Sequence, residues 1–442
     1  MKLLKRIIKA PILVIFALVC VFMLPSAINM SSIAFRSAIA LAMGIDMNEQ
    51  NQVVLYTAIS VPATNESLTE NSKIMVSAGT TLGDAFANLR LMYGRAVKLG
   101  HVRFVMIGSN ISQTNVTSML DSLIRTNRIR NVVQLVYCPS DIGDMFNIGV
   151  KINSATGIKL SDIISHQQNA STTYVNSNID SFYKGYFSES KISKINAVYL
   201  TPDATQGISS NVNESESSDS QSGKSSGSEQ ITKQENSGEK GGVEKTGQSQ
   251  GDTQPESSKP SVQDLHISNR GRLAIYENGV LKTVLSEQIS QGVNWLSYDY
   301  NPKEILVEAD NVKRLGKAKM GFDILSKRVN IESFFHKDIP FVSAKIIVSL
   351  DLDEIIADEK NIEISHEIID DNVKGDIGRE IRKQIASAVK QSKDLSLDIF
   401  ELNDIFNQNN HKEYNNYIQQ GNSIYDLVEN AQIVAEVEIK II

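Results

Sequence analysis

The sequence predicts an α+β chain: an N-terminal membrane helix, then mixed α/β domains whose sheets are covered by helices, split by a long disordered linker. Three observations carry this prediction. Lys2, Lys5, Arg6 and Lys9 precede the apolar run "APILVIFALVCVFMLPSAI", and no charge returns before Arg36. Strand-like and helix-like apolar spacings then take turns along the chain. Near residue 203 the composition turns polar for about 60 residues. The expected divisions are a basic end and anchor at 1–29, an N-terminal α/β domain at 30–202, a linker at 203–263, and a C-terminal region at 264–442. The last comprises a hairpin subdomain at about 264–335 and a terminal domain at about 336–442.

The apolar run holds about 19 residues, which as a helix rising ~1.5 Å per residue spans the ~30 Å hydrocarbon core. The basic cluster before it predicts a cytoplasmic N-terminus, with everything after about residue 30 extracytoplasmic. A cleavable signal would have a shorter apolar core followed by an A-x-A-like site, and "PSAINM" is a poor one. Lipidation at Cys20 would need a small residue before it. Val19 is branched, and the run continues as "VFML" instead of turning polar. Cys20 therefore reads as a residue of an uncleaved signal anchor.

Further on, "NQVVLYTAIS" is strand-like in residue type. "TTLGDAFANLRLMY" sets Leu82, Ala85, Phe86, Leu89, Met92 and Tyr93 on one helical face, with Thr81 and Asp84 as a helix-start pair. "HVRFVMIG" reads as a buried strand opened by His101. "NVTSMLDSLI" offers Met119, Leu120, Leu123 and Ile124 as a second helix face, and "NVVQLVY" reads as a strand. "LSDIISHQQ" and "NIDSFYKGYF" read as short helices, and "INAVYL" as a strand closing the domain. The segment after residue 203 has no aromatic residue and too little apolar surface to offset the entropy of ordering.

Beyond it, "RLAIYENGVLKTVLS" is a hairpin by its chemistry, because Asn278-Gly279 suits the positive φ angles of a type I′ turn. "FVSAKIIVSLDLDEI" alternates Val342, Ala344, Ile346, Val348, Leu350 and Leu352 as a long half-buried strand. "VKGDIGREIRKQIASAVKQSKDL" lines up Ile377, Ile381, Ile385, Ala388 and Val389 on an amphipathic helix. "AQIVAEVEIKII" alternates again, so the chain is expected to end in a sheet strand.

Catalysis needs convergent groups, and the sequence offers few traces of them. His101, His166, His266, His336, His366 and His411 are dispersed, and there is no nucleophile elbow, phosphate loop or dinucleotide fingerprint. Asp351 and Asp353 alternate on a strand and could project together toward a cation or a sugar, or simply form its solvated end. Arg125, Arg128 and Arg130 form either a solvated turn or a patch facing a partner or lipid headgroups. Trp295, with Tyr298 and Tyr300, is either core or a stacking platform. A net charge of −7 argues against nucleic acid as a partner. Two cysteines, Cys20 and Cys138, exclude a disulfide framework and a thiolate metal site. No catalytic, cofactor or metal residue is assigned.

Several stretches in order resemble the Ger(x)C spore germination proteins, the C-type subunits of bacterial germinant receptors. They are "RSAIALAMGIDMNEQNQVVLYTAIS", with Gly44-Ile45-Asp46 before the first long strand, "SAGTTLGDAFANLRLMYGRAVKLGHVRFVMIGSNI", "GIKLSDIISHQQNASTTYVNSNIDSFYKGYFSESKISKINAVYL", "RGRLAIYENGVLKTVLSEQISQGVNWL" and, near the end, "LDIFELNDIF". The resemblance implies a non-enzymatic protein of three mixed α/β domains, membrane-attached by lipidation, working beside two integral membrane subunits at the spore inner membrane. This chain departs from the pattern by lacking an acceptable lipidation site and by carrying the polar insertion. The expected function is thus a membrane-anchored receptor subunit acting through protein contacts in nutrient-triggered germination. The alternatives are an anchored extracytoplasmic module for cell-wall glycan or another ligand, motivated by Trp295 and the polar segment, and an enzyme using Asp351 and Asp353.

Overall fold

The structure is a computed structural model. It describes residues 37–442 except 62–70, 95, 128, 152–161, 163–174, 203–264, 299–301, 314 and 357–368. The expected anchor, Cys20, the linker and (apart from Asp162) the helix at "LSDIISHQQ" lie outside the described residues. Among those described, no helix is long and apolar enough to cross a membrane.

Two sheets and several helices form a mixed α/β architecture. The larger sheet begins with β1 (Ser37–Met47), β2 (Val53–Val61) and β3 (Asn71–Gly79), an antiparallel meander. Gly44, Ile45 and Asp46 lie inside β1 rather than before it. Helix α1 (Leu82–Tyr93) follows, because Thr81 caps its start by accepting from the Asp84 N–H at 3.1 Å, and Gly94, left-handed at φ 65°, ends it. Leu82, Ala85, Phe86 and Leu89 are buried as the spacing predicts, but Met92 is exposed and Tyr93 only half-buried. Both lie in the last turn of the helix, past Leu89, the last of its residues in the core. The chain then re-enters as β4 (Ala96–Lys98), parallel to the start of β1, with Ala96 opposite Ser37.

Strands β5 (Phe104–Gly108), β6 (Gln134–Cys138) and β7 (Ile192–Pro202) continue the sheet in parallel from β1. His101 sits on an exposed turn before β5 and does not open the strand. Between these strands come α2 (Ser109–Ser112), α3 (Thr117–Asn127), α4 (Ile142–Lys151) and α5 (Ile179–Phe187). Buried residues of α1, α3 and α5 share one core on one face of the sheet. Ile142, Met145 and Phe146 of α4 pack with Phe104, Met106, Val136 and Val198 in a separate core.

The sheet does not close at β7. Strands β8 (Leu265–Glu277) and β9 (Val280–Val284) extend it, in the order β3-β2-β1-β5-β6-β7-β8-β9. The hairpin is the expected one, with Asn278 at φ 50° and Gly279 at φ 78°. Its place differs from expectation: the sequence groups it with the C-terminal region, and hydrogen bonding puts it in the first sheet. The Asn278 N–H donates to the Lys191 carbonyl at 3.0 Å. The end of β8 therefore lies beside the start of β7, and the two strands run antiparallel.

The second sheet comprises β10 (Glu304–Val312), β11 (Gly316–His336), β12 (Ile339–Ile356) and β13 (Gln432–Ile441). The last strand alternates as predicted and runs parallel to β12. Helix α6 (Glu287–Trp295) and α7 (Asp371–Asp394) pack against each other, and α8 (Leu402–Asn409), α9 (His411–Gln419) and α10 (Ile424–Asn430) fill out the same core. Gly292 permits the α6–α7 crossing, since a Cβ there would stand 2.2 Å from the Gln384 carbonyl oxygen. Leu273 and Ile275 of β8 belong to this core, while Ala274 and Tyr276 belong to the core under α1, α3 and α5. One strand thus serves both cores with its two faces.

Candidate functional site

Three acidic residues spaced at 398, 401 and 404, among large apolar neighbours in "SLDIFELNDIF", fasten the helical end of the chain to the turn between α5 and β7. Asp398 is fully buried. Its Oδ2 accepts from the Ser190 hydroxyl at 2.6 Å, the Asn403 N–H at 2.9 Å and the Asn403 side-chain amide at 2.8 Å. Its Oδ1 accepts from the Leu402 N–H at 2.7 Å. Burial pushes its carboxyl above the ordinary range, against the pull of those donors. The Asp404 carboxylate takes the successive N–H groups of Glu189 and Ser190, at 2.9 and 3.1 Å. Lys194 on β7, largely buried, pairs with Glu401 at 2.7 Å.

Beside this joint lies a cleft of about 480 Å³, within the size range of small-ligand sites. Lys184, Lys194, Tyr298, Glu401, Asp404 and Gln408 contribute its polar lining, while Val293 and Ile405 contribute apolar wall.

The structure disperses the residues singled out in the sequence. Trp295 is core: it is 2% exposed, and its indole N–H donates to Gln384 Oε1 at 2.8 Å. Tyr298 is exposed on the cleft wall, and Tyr300 lies outside the described residues. Asp351 pairs in register with Asp323 of β11, and Asp353 is exposed. Among the described residues, no group of three or more His, Cys, Asp or Glu could hold a metal ion. Arg125 is exposed and bound to Asp121 of its own helix at 2.7 Å, Arg130 is exposed, and Arg128 lies outside the described residues. His411 sits between Asn407 and Asn415, at 2.6 and 3.0 Å, while His336 meets Phe341 edge-on. His266 falls within β8, and His166 and His366 lie outside the described residues. Cys138 is buried, and loss of solvent pushes its thiol up to about 12. The joint residues went unread. Their one trace was acidic side chains recurring every third position within an apolar stretch.

Residues 36–200 match the domain described as "Spore germination protein N-terminal domain", and residues 271–442 match "Spore germination B3/ GerAC like, C-terminal". Together these matches take in about three quarters of the chain. The chain belongs to the Ger(x)C family of spore germination proteins. In this Ger(x)C chain the second match starts at residue 271, inside β8, so its first two strands extend the sheet of the first matched domain. Among solved structures, the crystal structure of the GerBC protein aligns over 91% of this chain and 97% of its own, at 12% identity and a TM-score of 0.46. No curated protein matches the chain.

Proposed function

We propose that this Ger(x)C chain is a non-enzymatic, membrane-anchored subunit of a germinant receptor, required for nutrient-triggered spore germination. Residues 10–28 hold it in the spore inner membrane with the N-terminus cytoplasmic and the folded body outside. It acts by contact with membrane-embedded receptor subunits. The observation supporting this reading is the ordered pair of family matches over about three quarters of the chain. The joint adds to it: the buried Asp398, the Asp404 carboxylate and a shared strand tie the two matched domains together, as suits a body that passes on contacts rather than one that opens. The glycan-module alternative loses the residue that motivated it, because Trp295 is enclosed and cannot stack on a sugar.

Deletion of the gene, with complementation, tests the proposal. Loss of the response to at least one nutrient, together with co-purification of the tagged chain with multi-span membrane proteins, is the expected result. Unimpaired germination in every nutrient tested, or a body that turns over a substrate when purified, would overturn it.

A further inference from the structure

Strands β1, β3, β4, β5, β6 and β7 all point the same way. Their starting ends therefore gather at one end of the sheet. Helices α1, α3 and α5 each precede a strand, so their C-terminal ends gather there too. Among the described residues, the most exposed large apolar side chains of this domain collect at that end. Leu91 and Met92, 80% and 63% exposed, close α1. Val132, 68% exposed, precedes β6, and Phe187, 73% exposed, closes α5. Phe187 stacks on Tyr183 at 6.0 Å and meets Tyr186 edge-on at 5.0 Å, making an aromatic ledge. The last turns of the three helices carry Arg90, Arg125 and Lys184. Asp121 and Asp180 pair with the latter two, and Glu189 is exposed nearby.

This is also the end where the chain enters the fold. Ser37 opens β1 beside Ala96, and Met92 lies four residues before Ala96. With Cα atoms ~3.8 Å apart along the chain and strands ~4.8 Å apart, Met92 lies within about 20 Å of Ser37. Between residue 28 and Ser37 the chain can reach about 30 Å at full extension. An anchor at 10–28 therefore keeps this end near the bilayer, whereas the exposed Val434 on β13 belongs to the other sheet.

We infer that this end of the first sheet is a lipid-contact surface, with Leu91, Met92, Val132 and Phe187 seated in the headgroup layer and the helix-end cations beside the phosphates. Apolar and aromatic side chains edged by Arg and Lys are the composition that a membrane–water interface favours. The inference rests on the anchored reading above and adds the orientation of the body on the membrane.

The test uses the full chain carrying Cys20→Ser, reconstituted in vesicles of phosphatidylethanolamine and phosphatidylglycerol. Leu91→Cys, Phe187→Cys and, as a control, Val434→Cys carry a polarity-sensitive fluorophore. Cys138 is buried and its thiol is held protonated, so it stays unlabelled. Expected are blue-shifted emission and quenching by shallow lipid-borne quenchers at 91 and 187, and neither at 434. Labels at 91 and 187 that match 434 in floating vesicles overturn the lipid contact while leaving the anchor intact. The same holds for labels that respond only when receptor subunits are co-reconstituted, which would mark a protein interface. Failure of the unsubstituted chain to float removes the anchor, and this inference with it.

Discussion

Replacing Asp398 separates the joint's hydrogen bonding from its charge. In Asp398→Asn the amide oxygen can take the Oδ2 position and keep three bonds, to Ser190 and both nitrogens of Asn403. The amide nitrogen then faces the Leu402 N–H, which loses its acceptor. The orphaned Leu402 N–H costs about 1–3 kcal/mol, the new amide N–H groups gain no acceptor there either, and relief of the buried charge offsets part of the cost. Asp398→Ala strands all four donors. At about 1 kcal/mol for each of the three N–H groups, the cost reaches at least about 3 kcal/mol. Burial raises the folded-state pKa of Asp398 above its ordinary value of 3.8. Its contribution is therefore full below about 3.8 and is lost as pH rises through the raised value, because only the folded chain still holds the proton. The gap between parent and Asp398→Asn should accordingly narrow as pH rises from about 4 toward neutrality. Urea unfolding of the full chain at several pH values, with slopes compared to confirm like transitions, measures both effects. The reasoning fails if the alanine variant is no less stable than the asparagine variant, or if the gap widens with pH.

Further outcomes can be checked independently. Gly292→Ala places a Cβ 2.2 Å from the Gln384 carbonyl and should destabilise by about 1–3 kcal/mol through forced separation of α6 and α7, read as a lower urea midpoint. In a Cys20→Ser background, Cys138 should react with a thiol reagent at pH 8 only after denaturant is added. Rapid labelling of the folded chain would contradict its burial. Replacing residues 203–264 by a short turn should leave the urea midpoint nearly unchanged, because adjacent antiparallel strands receive both ends. Removing residues 432–442, which contain β13, should expose the edge of β12 and abolish cooperative unfolding of the C-terminal part.

Much of the secondary structure was legible because periodicity is a local property. The α7 stripe, the alternation in β12 and β13 and the Asn278-Gly279 turn needed only neighbouring residues to declare themselves. The 21-residue strand β11 did not. Register shifts at Gly321/Phe322 and Ile324/Ser326 break its alternation, and the buried Lys327 sits where an apolar residue would be expected. Lys327 is tolerated because its ammonium donates to the carbonyls of Asn294 and Ser297 at the end of α6, 33 and 30 positions away in sequence but adjacent in space. The candidate site was hidden for a similar reason: Asp398 meets Ser190 across 208 positions.

The sequence by itself determined which residues share a face, the turn that folds β8 onto β9, and the polar break in the middle of the chain. The run "LAIY" reads in the sequence as the first strand of a hairpin. Only the tertiary structure decided what each side would meet: Leu273 and Ile275 one core, Ala274 and Tyr276 the other. Alternation along a strand fixes the direction of a side chain relative to its neighbours. The identity of the surface it meets depends on strand order, which is set by hydrogen bonds between segments far apart in the chain.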